Sequence, residues 1–139
     1  MNENDLTRFA SAQDANYPTA LAEIQAGRKS SHWIWYIFPQ MRGLGRSMAS
    51  RFYGIADRAE AEAYLHHEVY GPRLREMTQA LLSHRDKSAR EILGGIDAQK
   101  VCSCMTLFDV IAPNDIFGQV LKQFYGGRRC QLTLKMLCN

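Results

Sequence analysis

Residues 31–47 read SHWIWYIFPQMRGLGRS. Both tryptophans of the chain, Trp33 and Trp35, fall here, beside Tyr36 and Phe38. Whether this run is a strand or a helix decides the fold class. Strict alternation would put His32, Ile34, Tyr36 and Phe38 on one face and Trp33, Trp35 and Ile37 on the other. Both faces are largely apolar, so periodicity alone does not separate a buried strand from a buried helix. No other segment offers a partner strand, and a lone strand leaves its backbone groups unpaired. The run therefore reads as a short helix, with Ile34, Ile37 and at least one tryptophan in the core.

Helix signals extend in both directions from it. Asn4 or Asp5 caps a helix to about Ala15, with Leu6 and Phe9 facing inward. Pro18 suits a first helical position, and Gly27 stops a helix over Thr19 to Ala26. Downstream, Ser47 to Tyr53 reads as a short helix, followed by one capped by Asp57 and ending near His66. Pro72 opens the next, burying Leu74, Met77, Leu81 and Leu82. Ser88 to Leu93 gives a turn or two before Gly94-Gly95. Asp97 caps a helix over Ala98 to Ile111, with Val101, Cys104, Met105, Phe108 and Ile111 as its apolar stripe. Asn114 or Asp115 caps another to about Tyr125, stopped by Gly126-Gly127. Cys130 to Cys138 closes the chain at helical spacing. The expectation is an all-α fold: a compact single-domain bundle of short helices over residues 1–139.

Composition narrows the class. The chain has 139 residues, 46% hydrophobic and 22% charged, with a net charge of +3. That is the balance of a globular domain with a real core. The mild charge makes nucleic acid an unlikely partner, since that needs a concentrated basic stripe. Arg42/Arg46/Arg51 and Arg128/Arg129 are modest clusters. No run approaches the roughly 18 apolar residues of a membrane span, and the polar, acidic N-terminus is unlike a signal peptide. A cytoplasmic protein is expected, and four cysteines without a CxxC pair read as free thiols. Cys102 and Cys104, about 200° apart on a helix, cannot converge on zinc, and the adjacent His66 and His67 are a poor metal pair. No metal is expected; a cofactor is not identified.

Candidate chemistry centres on polar residues that packing does not explain. Gly43-Leu44-Gly45 matches only the opening of a dinucleotide fingerprint. Met48 stands where the third glycine belongs, and no βαβ pattern follows. Glycines before a helix, beside Arg42 and Arg46, still form a possible anion site at Gly43, Gly45 and Ser47. His32 is a possible acid, base or ligand anchor. His67 suits the C-terminus of its helix, through the dipole. Lys100, Ser103 and Thr106 recur at i, i+3, i+6 as a polar strip able to hold a phosphate or carboxylate.

The segments KSSHWIWYIFPQMRGLGRSMAS, EAYLHHEVYGPRLREM, GGIDAQKVCSCMTLF and GGRRCQLTLKML together resemble the bacterial domain-of-unknown-function 1810 family, from about residue 5 to 138. The resemblance implies a compact all-helical domain and no established activity. It also implies an acid where this chain has Cys130. The family's alternative label, calpastatin, does not fit: such inhibitors are disordered and repetitive, and this composition is globular. Among its motif positions are His32, Trp33, Tyr36, Gln40, Gly43, Gly45, Ser47, Arg73, Lys100, Ser103 and Thr106. These eleven are the candidate ligand-binding residues, for a nucleotide-like or ADP-ribose-like molecule bearing phosphate. Hydrolysis of a glycosidic bond would need an acid or base from His32, Asp97 or Glu68. The competing expectation is a non-catalytic protein-interaction module.

Overall fold

Cap residues written in the sequence set most of the helix starts. Asp5 receives the Thr7 N–H at 3.2 Å and begins a 3₁₀ turn over Leu6–Phe9. Ser47 caps α3 (Met48–Tyr53), Asp57 caps α4 (Arg58–His66) and Asp115 caps α8 (Ile116–Tyr125), each by accepting a backbone N–H. Ser88 and Glu91 exchange bonds of 3.0 and 2.7 Å in a reciprocal capping box on α6 (Ala89–Leu93). The computed structural model describes residues 5–138; the alternative cap Asn4 lies outside them.

Elsewhere packing overrides local signals. Pro18 does not open a helix; it lies inside α1 (Ala10–Gln25). A mid-helix proline costs roughly 3 kcal/mol. Anchors on both sides offset it: Phe9 just upstream, then Ala20 and Ile24, are fully buried. The Gln13 amide also donates to Tyr36 O at 2.7 Å and Tyr64 Oη at 2.8 Å. α5 spans Tyr70–Leu82, starting two residues before Pro72. His67 serves both helices: it is the C-cap of α4, with its N–H on Tyr64 O at 3.2 Å, and its Nδ1 accepts the N–H groups of Val69 and Tyr70 at 3.0 and 3.3 Å at the start of α5.

The long helix α7 (Gly95–Ile111) runs through the middle, against α4, α6, α8 and the C-terminal α9 (Gln131–Cys138). Val101, Cys104, Met105, Leu107 and Phe108 are inaccessible to solvent, as expected of a helix apolar around most of its circumference. Gly94, not Asp97, is its N-cap; Asp97 lies within the first turn. An aromatic spine of Phe9, Tyr64, Phe108 and Phe117 links the first 3₁₀ turn, α4, α7 and α8, with Tyr70 stacked on Tyr64 at 5.3 Å.

The opening stretch is helical only at its centre, in α2 (Ile34–Ile37), with Trp33, Ile34, Ile37 and Phe38 in the core. Past Pro39 the chain extends and makes one isolated parallel bridge, Met41 to Ile55. Its bonds, Arg42 N–H to Ile55 O and Ile55 N–H to Gln40 O, are 2.8 and 2.9 Å. Gly54 allows the approach: a Cβ there would lie 2.6 Å from the Arg42 Cα. Among the described residues no extended strand forms, so the fold is all-α. None of the helices is long and apolar enough to cross a membrane.

Candidate functional site

Two carboxylates organise the aromatic stretch. Glu23, on α1, accepts the Ser30 and Ser31 N–H groups, the Ser31 hydroxyl and the Trp33 indole N–H, all between 2.5 and 2.9 Å. Burial pushes its carboxyl upward, but this set of donors prevails and lowers it from 4.5 to about 2. Asp97 holds two ammonium groups, Lys29 at 2.7 Å and Lys100 at 3.3 Å. Lys29 lies over the Trp33 ring at 4.8 Å and Lys100 over the Trp35 ring at 4.2 Å.

Beyond Trp35 opens a cleft of about 670 Å³. One wall is α7, through Ile96, Lys100, Cys102 and Ser103; the opposite wall is the end of α8 and the start of α9, through Phe124, Tyr125, Arg128 and Cys130. The extended segment after α2 contributes Gln40, Leu44 and Gly45. Gly45 is required by close approach: a Cβ there would meet Ser50 Cβ at 2.9 Å and the Trp35 ring at 3.3 Å. Tyr125 is fixed by its hydroxyl, which donates to Ala98 O at 2.6 Å. Gln40 is only 7% exposed; its side-chain amide bonds no described residue and is not sealed from solvent, which reaches it through the cleft. The lining carries two cations, Lys100 and Arg128, and no carboxylate or imidazole.

The candidate residues therefore divide. Gln40, Gly45, Lys100 and Ser103 line the cleft. Thr106 is buried behind it, where its hydroxyl donates to Cys102 O at 2.8 Å and accepts the Cys130 N–H at 2.9 Å. Trp33 is 1% exposed and lies in the core, whereas Trp35, not selected from sequence, forms the wall. Tyr36 packs on Tyr53 at 5.2 Å and donates to His32 O, leaving the exposed His32 ring outside the cleft. Ser47 spends its hydroxyl on the Ser50 N–H, so the GLGRS turn closes its own helix end. Gly43 is exposed and faces Met136 of α9. Arg73 belongs to the seam of α1 and α5, bonded to Asp14 and Gln13 at 3.1 and 3.3 Å and resting on Tyr17. Neither His32, Asp97 nor Glu68 lines the cleft.

Sequence reasoning missed the Tyr125–Arg128 wall and the Glu23 clasp. Tyr125 reads as the last residue of a helix, and nothing in the spacing marks Glu23. The one available signal was the density of donors in KSSHW, which requires an acceptor from elsewhere.

This helical architecture, with a cation-lined cleft beside a buried aromatic clasp, is that of a family whose biochemical role is undefined. The chain belongs to the DUF1810 family, described as proteins of unknown function, which matches residues 3–137. It is similar in structure to the conserved hypothetical protein Rv1873 from Mycobacterium tuberculosis, with a TM-score of 0.96, 42% identity and 99% of each chain covered. Among curated proteins, none matches.

Proposed function

We propose that the cleft binds an anionic, ring-bearing small molecule of the nucleotide or ADP-ribose type. The observation that carries this reading is a cleft with two cations and no acid, into which the Gln40 amide presents groups that no described residue bonds. A ligand that pairs with this amide replaces the water that reaches it, a net gain of about 0.5–1.5 kcal/mol per hydrogen bond. Asp97 is shared between Lys29 and Lys100, so Lys100 keeps charge to spend on a phosphate. The volume suits a nucleotide-sized guest; ligand pockets run from roughly 300 to 1,000 Å³. Phe124 and Tyr125 offer aromatic surface, while Lys100 already covers one face of Trp35.

The reading is of a binding site. A hydrolytic role draws no support from the lining, which lacks the acid or base that glycosidic cleavage needs. We take the chain to work as one domain, in a reducing cytoplasm that suits its free cysteines. A protein-interaction surface is the second reading, favoured by Met48 and Phe52, 87% and 55% exposed on α3.

The test is a titration with AMP, ADP-ribose, NAD and sugar phosphates, following tryptophan emission and melting temperature together. Ligand at a hundredfold excess over its Kd should stabilise by about 3 kcal/mol, or about 10 °C. Lys100→Ala should weaken binding roughly tenfold without unfolding the protein. If none of these compounds changes either signal, the small-molecule reading fails. Capture of a protein partner that Phe52→Ala abolishes would then support the second.

A further inference from the structure

The cleft carries two thiols, Cys102 on α7 and Cys130 in front of α9. Their surroundings differ. Cys130 sits at the N-cap position of α9, where its carbonyl accepts the Leu134 N–H at 3.2 Å. Its own N–H is held by Thr106, and the Ser103 hydroxyl donates to its sulfur at 3.3 Å. The Thr133 hydroxyl, in the first turn of α9, is wholly buried and has no hydrogen-bond partner among the described residues. Donors of this kind, one of them orphaned, are best satisfied by an anionic acceptor. Burial raises the Cys130 thiol, but the donors outweigh it and hold the group below its usual range. Cys102 goes the other way, raised by burial and by the charge at Cys130.

A sulfur that accepts a hydrogen bond and faces a cation-lined cleft suggests which electrophile would reach it. We propose that Cys130 is a modification site that takes low-molecular-mass anionic disulfides by thiol–disulfide exchange, and that the adduct closes the cleft. The idea rests on the anion-binding reading of the same cleft. In the step, Cys130 loses its proton and its sulfur attacks one sulfur of R–S–S–R. The old S–S bond breaks, Cys130–S–S–R forms, and R–S⁻ leaves and takes up a proton. The disulfide is both the oxidant and the group donor. Lys100 and Arg128 draw its carboxylates to the mouth. The attached group then occupies the space beside Gln40 and Ser103.

Cys138 is exposed and supplies an internal comparator. Access alone would make it the faster thiol. The reduced full-length protein is incubated at neutral pH with glutathione disulfide, which is anionic, or bis(2-hydroxyethyl) disulfide, which is neutral. Adducts are counted at each cysteine by peptide mass mapping. With glutathione disulfide, Cys130 should react roughly tenfold faster than Cys138. The anionic-to-neutral rate ratio should be several-fold higher at Cys130, should shrink in salt and should fall in Lys100→Ala. Reaction at Cys138 ahead of Cys130, or the same ratio at both sites, overturns the proposal. Nucleotide titration of the reduced protein separates the two readings: binding without a Cys130 adduct leaves the cleft as a ligand site and removes the thiol from it. Anion-selective modification without nucleotide binding supports the thiol and leaves the nucleotide reading without its ligand.

Discussion

Trp33 and Trp35 are two residues apart, and each lies under a lysine held by Asp97. Their fates are opposite. Trp33 is 1% exposed, with its indole N–H bonded to Glu23. Trp35 is half-buried and forms a wall of the cleft, against Gly45. The cause is where each stands on the chain. Trp33 is the non-helical residue that precedes α2 and Trp35 lies within that helix, so one ring enters the core and the other faces outward. The same local composition makes a structural strut and a binding surface, and only the tertiary neighbours distinguish them.

Truncation is the strongest way to break this comparison. Trp33→Ala should cost about 3–5 kcal/mol, the range for a fully buried large aromatic, because it removes core volume and leaves Glu23 short of a donor. Trp35→Ala should cost much less, about 1 kcal/mol, while abolishing the fluorescence response to ligand. Chemical denaturation of both variants measures the difference. Equal losses would mean that the two rings are not a strut and a wall.

Glu23 sharpens the same contrast through pH. Its folded pKa lies below the unfolded value, so its contribution is fully present above about 4.5 and is lost as pH falls toward about 2. Because the residue keeps some contact with solvent, we expect about 1–2 kcal/mol from it at neutral pH. Glu23→Gln should lower stability by that amount at pH 7 and flatten the acid limb of the profile. Urea midpoints between pH 2.5 and 7 test this; an unchanged acid limb would mean that the clasp contributes nothing.

Much of the fold was legible because caps and stripes are local. Asp57, Ser88 and Asp115 announced their helices, and the Val101, Cys104, Met105 and Phe108 stripe announced the central one. Pro18 misled because its cost is offset by distant contacts at Phe9, Gln13 and Ile24. The cleft was legible in part. Lys100 and Ser103 share one face of one helix, so spacing linked them. Gln40 joined them through the resemblance. Arg128 and Tyr125 arrive only through the packing of α8 and α9 on α7, and no periodicity encodes that. Asp97 had a cap's neighbours in sequence but an ion pair's neighbours in space.

The smallest effect on stability should come from Gln40, and its direction carries the meaning. The Gln40 amide bonds no described residue and is reached by solvent in the cleft, so it adds little to the stability of the fold. Gln40→Leu conserves most of the volume and removes no hydrogen bond within the protein, so the unliganded protein should keep its stability to within about 1 kcal/mol. Binding should weaken by about tenfold or more, because the ligand loses its buried partner. Thermal melts with and without nucleotide separate the two effects. Destabilisation on Gln40→Leu would place the residue with Trp33, as structure. Unchanged stability with lost binding would place it with Trp35, as a group that serves what enters the cleft rather than the fold.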